Sequence, residues 1–103
     1  MIRELTLENC SIPQNPEKLT ILDFYATWCG PCGMMSKIFQ EVANERDVDI
    51  LKADVEELDE LSMEYKVRNL PTYIFITPSG KKKTCTGTMT KEKILEVIDS
   101  MKE

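Results

Sequence analysis

The segment from residue 19 to residue 25, Leu-Thr-Ile-Leu-Asp-Phe-Tyr, places the strongest constraint on how this chain can fold. Its apolar side chains follow one another with little alternation, which is typical of a β-strand buried on both faces. Such a strand needs further layers of structure on both sides of its sheet. The segment therefore predicts a central strand in an α/β protein.

Helical and strand-like patterns alternate along the rest of the chain. Between residues 34 and 45, apolar side chains recur at helical spacing, which predicts an amphipathic helix that starts near Cys29 or Pro31. Thr90 can cap a last helix that ends near Met101. Further strands are predicted over residues 2–8, 49–54, 72–76 and 81–86, and a short acidic helix over residues 58–65.

The connections between these elements predict how the strands pair. Alternation of strands and helices in the first two-thirds of the chain predicts parallel pairing, whereas the Pro78-Ser79-Gly80 turn predicts an antiparallel hairpin. Residues 9–16 hold two prolines and two asparagines and leave room for little more than one helical turn. We therefore expect one domain over residues 1–103, with an α/β fold whose central mixed sheet of four to five strands is flanked by helices on both faces.

Composition and charge exclude several functions. The net charge is −5, whereas nucleic acid or an anionic membrane as the main partner would require a basic surface. The chain contains no histidine, which excludes Cys–His and Ser–His–Asp catalysis and any histidine-containing zinc site. The N-terminal residues lack the apolar core of a signal peptide, and no apolar run approaches a membrane span. We therefore expect a cytoplasmic protein. We also expect a monomer without a metal or a cofactor.

The sequence Trp28-Cys29-Gly30-Pro31-Cys32 places a pair of cysteines between the central strand and the amphipathic helix. Free backbone N–H groups and the positive end of the dipole at a helix start favour an anion and lower the pKa of a thiol. This position predicts dithiol–disulfide chemistry. The alternatives are a structural disulfide and half of a zinc site, but zinc needs four ligands and the chain has no second CxxC motif.

The stretch from Leu22 to Cys32 closely resembles the active-site segment of thioredoxins. Leu70-Pro71-Thr72 resembles the cis-proline loop of that family, and Gly87 falls near one of its later glycines. The resemblance covers nearly the whole chain. It implies a thioredoxin fold and a protein-disulfide reductase, in which Cys29 attacks the substrate disulfide and Cys32 resolves the mixed disulfide.

Asp23 is the one charged residue in the predicted central strand. A buried carboxylate is costly, and burial raises its pKa. The resemblance implies that Asp23 accepts the proton of Cys32 during resolution, through water. Lys52 occupies the position of a lysine that lies near this carboxylate in thioredoxins, where a salt bridge would oppose the rise in pKa. The alternatives are a solvent-exposed Asp23 at the end of the strand and a lysine on the surface.

The resemblance also implies a surface on which substrates bind. Pro71 is expected to form a cis peptide bond and to pack against the cysteines, which leaves neighbouring backbone free to pair with an extended substrate. The implied partners are disulfide-containing proteins and a thioredoxin reductase that supplies electrons. The implied substrate-binding residues are Trp28, Gly30, Pro31, Leu70, Thr72 and Gly87.

Three positions depart from the thioredoxin pattern. Gly33 stands where thioredoxins usually have lysine or arginine, and Lys37 replaces a proline that commonly kinks the helix. Residues 10–16 are too short and too rich in proline for the usual first helix. These departures leave open a thioredoxin-like protein with one dedicated redox partner. A non-catalytic interaction module with this fold is a further alternative, although it would not need the full set of site residues.

Overall fold

A five-stranded mixed β-sheet forms the centre of the computed structural model, which describes all residues from Met1 to Glu103. The elements in chain order are β1 (Ile2–Glu4), β2 (Thr20–Tyr25), α1 (Gly30–Glu45), β3 (Asp49–Asp54), α2 (Asp59–Glu64), β4 (Thr72–Ile76), β5 (Lys82–Thr86) and α3 (Lys91–Ser100). The strands lie in the order β1-β3-β2-β4-β5, so that β2 is central, as the sequence predicted.

The directions of the strands follow from their connections. β3 runs parallel to both β1 and β2, because α1 carries the chain back across the sheet between β2 and β3. β4 runs antiparallel to β2 and to β5. Gly80, with a φ of 95°, forms the tight turn between β4 and β5, where its N–H donates to the Thr77 carbonyl oxygen at 2.9 Å. The predicted mixed sheet is confirmed.

This topology brings two segments to the same edge of the sheet. Phe24 near the end of β2 pairs with Thr72 at the start of β4. Because the two strands are antiparallel, the residues that follow β2 and the residues that precede β4 meet at that edge. The cysteine motif follows β2 and Pro71 precedes β4, so the fold places both at one end of the molecule.

Side chains from β2 enter two separate hydrophobic clusters. Ile21 belongs to a cluster under α1 and α3, together with Phe39 and Ile94. Leu22, the next residue, belongs to the cluster on the other face of the sheet. Successive strand residues point to opposite faces, so the burial of both confirms the prediction of a strand covered on both sides.

The second face is covered by only one short helix and by irregular chain. Leu58, at the N-terminal end of α2, is buried there, and the chain after β1 contributes Leu5. The strand predicted over residues 2–8 was too long, because the chain leaves the sheet after Glu4 and forms a turn closed by the Thr6–Asn9 bridge. No helix forms between residues 10 and 16, where two prolines lack backbone donors.

None of the three helices is both long enough and apolar enough to cross a membrane.

The two cysteines outside the motif carry free thiols and lie on opposite faces of the sheet. Cys85 in β5 is buried in the cluster under α1 and α3, while Cys10 packs, half-buried, against the cluster that contains Leu22 and Leu58 on the opposite face.

Replacing Phe75 by alanine should destabilise the fold strongly. Phe75 is fully buried in β4, and removal of a buried aromatic ring costs about 3–5 kcal/mol because a cavity remains. Urea unfolding followed by circular dichroism should therefore show a much lower midpoint. Met63→Ala is the matched control, since Met63 on α2 is 74 % exposed and its loss should change stability by less than about 0.5 kcal/mol. Equal midpoints for the two variants would contradict the described core.

Candidate active site

The redox pair lies where the chain leaves β2 and enters α1. Cys29 is the N-cap of α1 and Pro31 lies in its first turn, so the predicted helix start is confirmed. Cys29 and Cys32 form a disulfide, with their Cα atoms 5.3 Å apart. The Cys29 sulfur accepts a hydrogen bond from the backbone N–H of Cys32 at 3.3 Å. A helix start therefore presents a backbone donor to the sulfur that the sequence assigned as the nucleophile.

The two sulfur-bearing residues differ in access to solvent. Cys32 is 4 % exposed, whereas Cys29 is only half-buried. Trp28, Gly30 and Pro31 around the pair are exposed, and Trp28 is 69 % exposed, a high value for so large an apolar side chain. A partner molecule can therefore reach Cys29 far more easily than Cys32.

A cleft of about 260 Å³ runs along the helix side of the disulfide. Gly33 leaves this side open, because a Cβ atom built there would meet no heavy atom within 4 Å. The residues that line the cleft are Tyr25, Ala26, Thr27, Cys29, Cys32, Gly33, Ser36 and Lys52.

No cluster of three or more Cys, Asp or Glu side chains is arranged to hold a metal ion.

Asp23 is buried inside the sheet, with 1 % of its surface exposed. Its Oδ1 atom has no hydrogen-bond partner. Burial raises the pKa of Asp23 from an ordinary value of 3.8 to about 7, the Lys52 charge opposes this rise, and the Glu4 charge adds to it. The prediction that the Asp23 carboxyl is buried is confirmed, and the alternative of a solvent-exposed Asp23 is wrong.

Lys52 lies directly beside Asp23, because the two residues pair across β3 and β2. The ammonium of Lys52 donates to Ser36 Oγ at 3.0 Å and lies 4.8 Å from the centre of the Tyr25 ring. A small cavity of about 90 Å³ has Asp23, Ser36 and Lys52 among its lining residues. The carboxyl of Asp23 therefore faces the underside of α1, on the side of the helix that carries Ser36.

Hydrogen bonds hold the proline loop at the same edge of the sheet as the disulfide. The Leu70–Pro71 peptide bond is cis, and Pro71 is buried. Gly87, with a φ of 79°, donates its N–H to the Pro71 carbonyl oxygen at 3.0 Å and accepts the Tyr73 hydroxyl at 2.8 Å. The Thr72 hydroxyl donates to the Asn69 carbonyl oxygen at 2.5 Å. This set of bonds fixes the loop that precedes β4.

The implied substrate-binding residues divide into two groups. Trp28, Gly30 and Pro31 are exposed beside the disulfide. Across the same edge, Leu70 and Gly87 are half-buried, whereas the side chain of Thr72 is buried and its hydroxyl is already bonded.

Sequence reasoning missed three polar side chains around Lys52. Ser36 lies one helical turn after Cys32, and this spacing on the buried side of α1 could have identified it. Tyr25 and Glu4 are joined by a hydrogen bond of 2.7 Å between the phenol and a carboxylate oxygen. No local pattern marks that pair, because β1 and β2 are separated in the sheet by β3.

Comparison with known proteins agrees with this geometry. The sequence model of the thioredoxin family matches residues 8–100. The chain belongs to the thioredoxin family. Its fold and its intact Cys29–Cys32 pair make it a thioredoxin-type protein-disulfide oxidoreductase.

Thioredoxins from distant organisms are similar to it along most of their length. Thioredoxin-1 of Caenorhabditis elegans is 38 % identical over 94 residues, which cover 86 % of this chain and 81 % of the relative. Thioredoxin H3 of Arabidopsis thaliana is 35 % identical over 96 residues, which cover 92 % and 80 % of the two chains. Thioredoxin of Mycoplasmoides gallisepticum is 38 % identical over 82 residues, with coverage of 79 % and 82 %.

Solved thioredoxin structures have the same fold. The chloroplastic thioredoxin z superposes with a TM-score of 0.88 at 28 % identity, covering 96 % of this chain and 92 % of that one. The reduced thioredoxin of Schistosoma mansoni gives a TM-score of 0.81 at 31 % identity, with 98 % coverage of both chains. The predicted thioredoxin fold is confirmed.

Replacing Asp23 by asparagine should stabilise this thioredoxin in a pH-dependent manner. The folded protein retains the Asp23 proton up to about pH 7, whereas the unfolded chain loses it near its ordinary pKa of 3.8. Raising the pH between these values favours the unfolded chain. The destabilisation caused by Asp23 is therefore absent at low pH and complete above about pH 7. The difference between the two pKa values corresponds to at most about 4 kcal/mol in the free energy of unfolding.

Urea unfolding of both proteins at several values between about pH 4 and pH 8 measures this effect. The advantage of Asp23→Asn should grow with pH and then level off. Glu57→Gln, at an exposed carboxylate, should show no such growth. A constant difference for Asp23→Asn across this range would contradict the raised pKa.

Proposed function

We propose that this thioredoxin reduces protein disulfides by dithiol exchange, with Cys29 as the attacking thiolate and Cys32 as the resolving thiol. One observation carries the proposal: a half-exposed Cys29 at a helix start is bonded to a buried Cys32, in a site that also holds a buried carboxyl without a hydrogen-bond partner at Oδ1. The more accessible sulfur meets the substrate, and the buried sulfur can reach only Cys29.

In the first step the thiolate of Cys29 attacks one sulfur of the substrate disulfide. A bond forms between Cys29 Sγ and that sulfur, the substrate S–S bond breaks, and the other substrate sulfur leaves as a thiolate that takes a proton. The position at the start of α1 favours the thiolate form of Cys29. The result is a mixed disulfide between protein and substrate.

In the second step Cys32 releases the substrate. Asp23 takes the proton of the Cys32 thiol through a water molecule, and the new thiolate attacks Cys29 Sγ. The mixed disulfide breaks, the second substrate sulfur leaves as a thiolate, and the Cys29–Cys32 disulfide forms. Two electrons have passed from the protein dithiol to the substrate. The raised pKa of Asp23, about 7, supports this role because a carboxylate of that basicity is a better proton acceptor than an ordinary one.

A thioredoxin reductase would return the disulfide to the dithiol. We propose that the chain works in the cytoplasm as a single domain and a monomer, without nucleic acid, membrane, metal or cofactor. The substrates would be disulfide-containing proteins, and they would bind across the exposed edge of the sheet. The residues proposed to contact them are Trp28, Gly30, Pro31, Leu70, Thr72 and Gly87.

A dedicated redox partner is the second candidate function, favoured by the open side of the site. Gly33 leaves unfilled space beside the disulfide, and no helix forms over residues 10–16. A single partner could fit these two features. Trapping of mixed disulfides with a Cys32→Ser variant distinguishes this candidate from a general reductant.

Replacing Cys32 by serine should stop the reaction at the mixed disulfide. Cys29 keeps its thiolate, but no second sulfur can release the substrate. Reduced Cys32→Ser protein incubated with cell extract should therefore retain bound proteins that dithiothreitol releases. Many unrelated proteins would indicate a general reductant, and one dominant protein would indicate a dedicated partner.

Turnover of a model protein disulfide such as insulin provides the second measurement. Cys29→Ser and Cys32→Ser should each abolish turnover, because each removes one of the two sulfurs of the exchange. Cys10→Ser is the matched control and should keep full activity, since Cys10 packs against the face of the sheet that lies away from α1. Turnover by the Cys29→Ser variant would contradict the proposed mechanism.

A further inference from the structure

A lysine lies between two carboxylates in a row of side chains that crosses the sheet. Glu4 of β1 pairs with Lys52 of β3, and Lys52 pairs with Asp23 of β2. Side chains at paired positions are neighbours on one face of a sheet. Lys52 nevertheless forms no ion pair with either carboxylate.

The ammonium of Lys52 instead contacts Ser36 and Tyr25. It donates to Ser36 Oγ at 3.0 Å, and it lies over the Tyr25 ring, 4.8 Å from the ring centre. The Tyr25 hydroxyl donates to Glu4 at 2.7 Å, which fixes the ring and engages the carboxylate that would otherwise attract Lys52. Ser36 is the partner that lies on α1, above the sheet.

The position of this ammonium matters because Asp23, which pairs with Lys52, is the buried carboxyl of the row. Asp23 Oδ1 has no hydrogen-bond partner, although Asp23, Ser36 and Lys52 line the same small cavity. Direct contact with an ammonium would stabilise the charged carboxylate and make it a weaker proton acceptor. The hydrogen bond to Ser36 therefore competes with an ion pair that would remove the property the proposed reaction needs.

We propose that Ser36 is a positioning residue that holds the Lys52 ammonium away from Asp23, so that the buried carboxyl stays able to take the proton of Cys32. The inference rests on the proposed function for the role of Asp23. It adds a residue outside the proposed substrate-contacting set, and this residue acts on Asp23 through Lys52.

The other ionisable groups that face Asp23 do not bring a positive charge to it. Tyr73, its partner on β4, donates its hydroxyl to Gly87 instead. Glu4, beyond Lys52, carries the same charge as Asp23 and raises its pKa. Cys29 and Cys32 carry no proton in the disulfide form. Lys52 is therefore the one cation in this row that can lower the pKa of Asp23 by moving.

The test is a cycle of four proteins: the native sequence, Ser36→Ala, Lys52→Met and the double variant. Alanine is a good helix former, and methionine replaces the unbranched stem of lysine without its ammonium, so all four should fold. The pKa of Asp23 is measured from the carboxyl ¹³C shift in the oxidised protein, where Cys29 and Cys32 have no proton. Ser36→Ala should lower that pKa by about one pH unit or more, because Lys52 becomes free to approach.

The same exchange in the Lys52→Met background should leave the pKa of Asp23 unchanged, since no ammonium remains to be moved. An equal change in both backgrounds would overturn the proposal and indicate that the Ser36 hydroxyl acts on Asp23 directly. An unchanged pKa in Ser36→Ala alone would also overturn it. Ser62→Ala, on α2 across the sheet, controls for loss of a helical serine and should have no effect.

Single-turnover release of reduced insulin separates this inference from the proposed function. In Ser36→Ala, the midpoint of the pH dependence of release should move to lower pH by the same amount as the pKa of Asp23. A lower pKa without any change in release would support the role of Ser36 and would instead contradict the role of Asp23 as proton acceptor. Asp23→Asn should then also release substrate at the native rate.

Discussion

Burial of β2 on both faces is the constraint on which the rest of the structure depends. The strand is paired along both edges, to β3 and to β4, and its side chains enter a different hydrophobic cluster on each face. A shift of register by one residue would move each side chain into the opposite cluster. The end of β2 is therefore fixed in space, and with it the position at which Cys29 begins α1.

The same burial supplies the chemistry of the site at a cost in stability. An apolar residue would pack at position 23 without penalty, whereas a carboxyl there loses its hydration and has one oxygen without a partner. Residues that break the rules of a stable core concentrate at functional sites. The proposed proton transfer gives Asp23 a functional reason to remain. In the proposed arrangement, the hydrogen bond of Lys52 to Ser36 prevents an ion pair that would make the carboxyl a weaker proton acceptor.

Local patterns predicted most of the fold. The strand predicted over residues 2–8 was too long, because a local pattern cannot show how many residues find a partner strand. The runs over β2 and α1 are long and have a clear period, so tertiary packing agreed with them. Residues 2–8 also resemble a strand, but only Ile2–Glu4 pair with β3. Leu5 then turns into the second cluster and Leu7 stays exposed, because coverage of that face took precedence over continuation of the strand.

The sequence by itself determined the buried strand, the helix start with its two cysteines and the charged residue at position 23, because each depends on residues close together in the chain. Only the tertiary structure decided the partner of Lys52. Ser36, Tyr25, Glu4 and Asp23 approach it from α1, β2 and β1, and the choice among them depends on where one flexible side chain points. No local pattern encodes that direction, since it results from packing α1 against three strands at once.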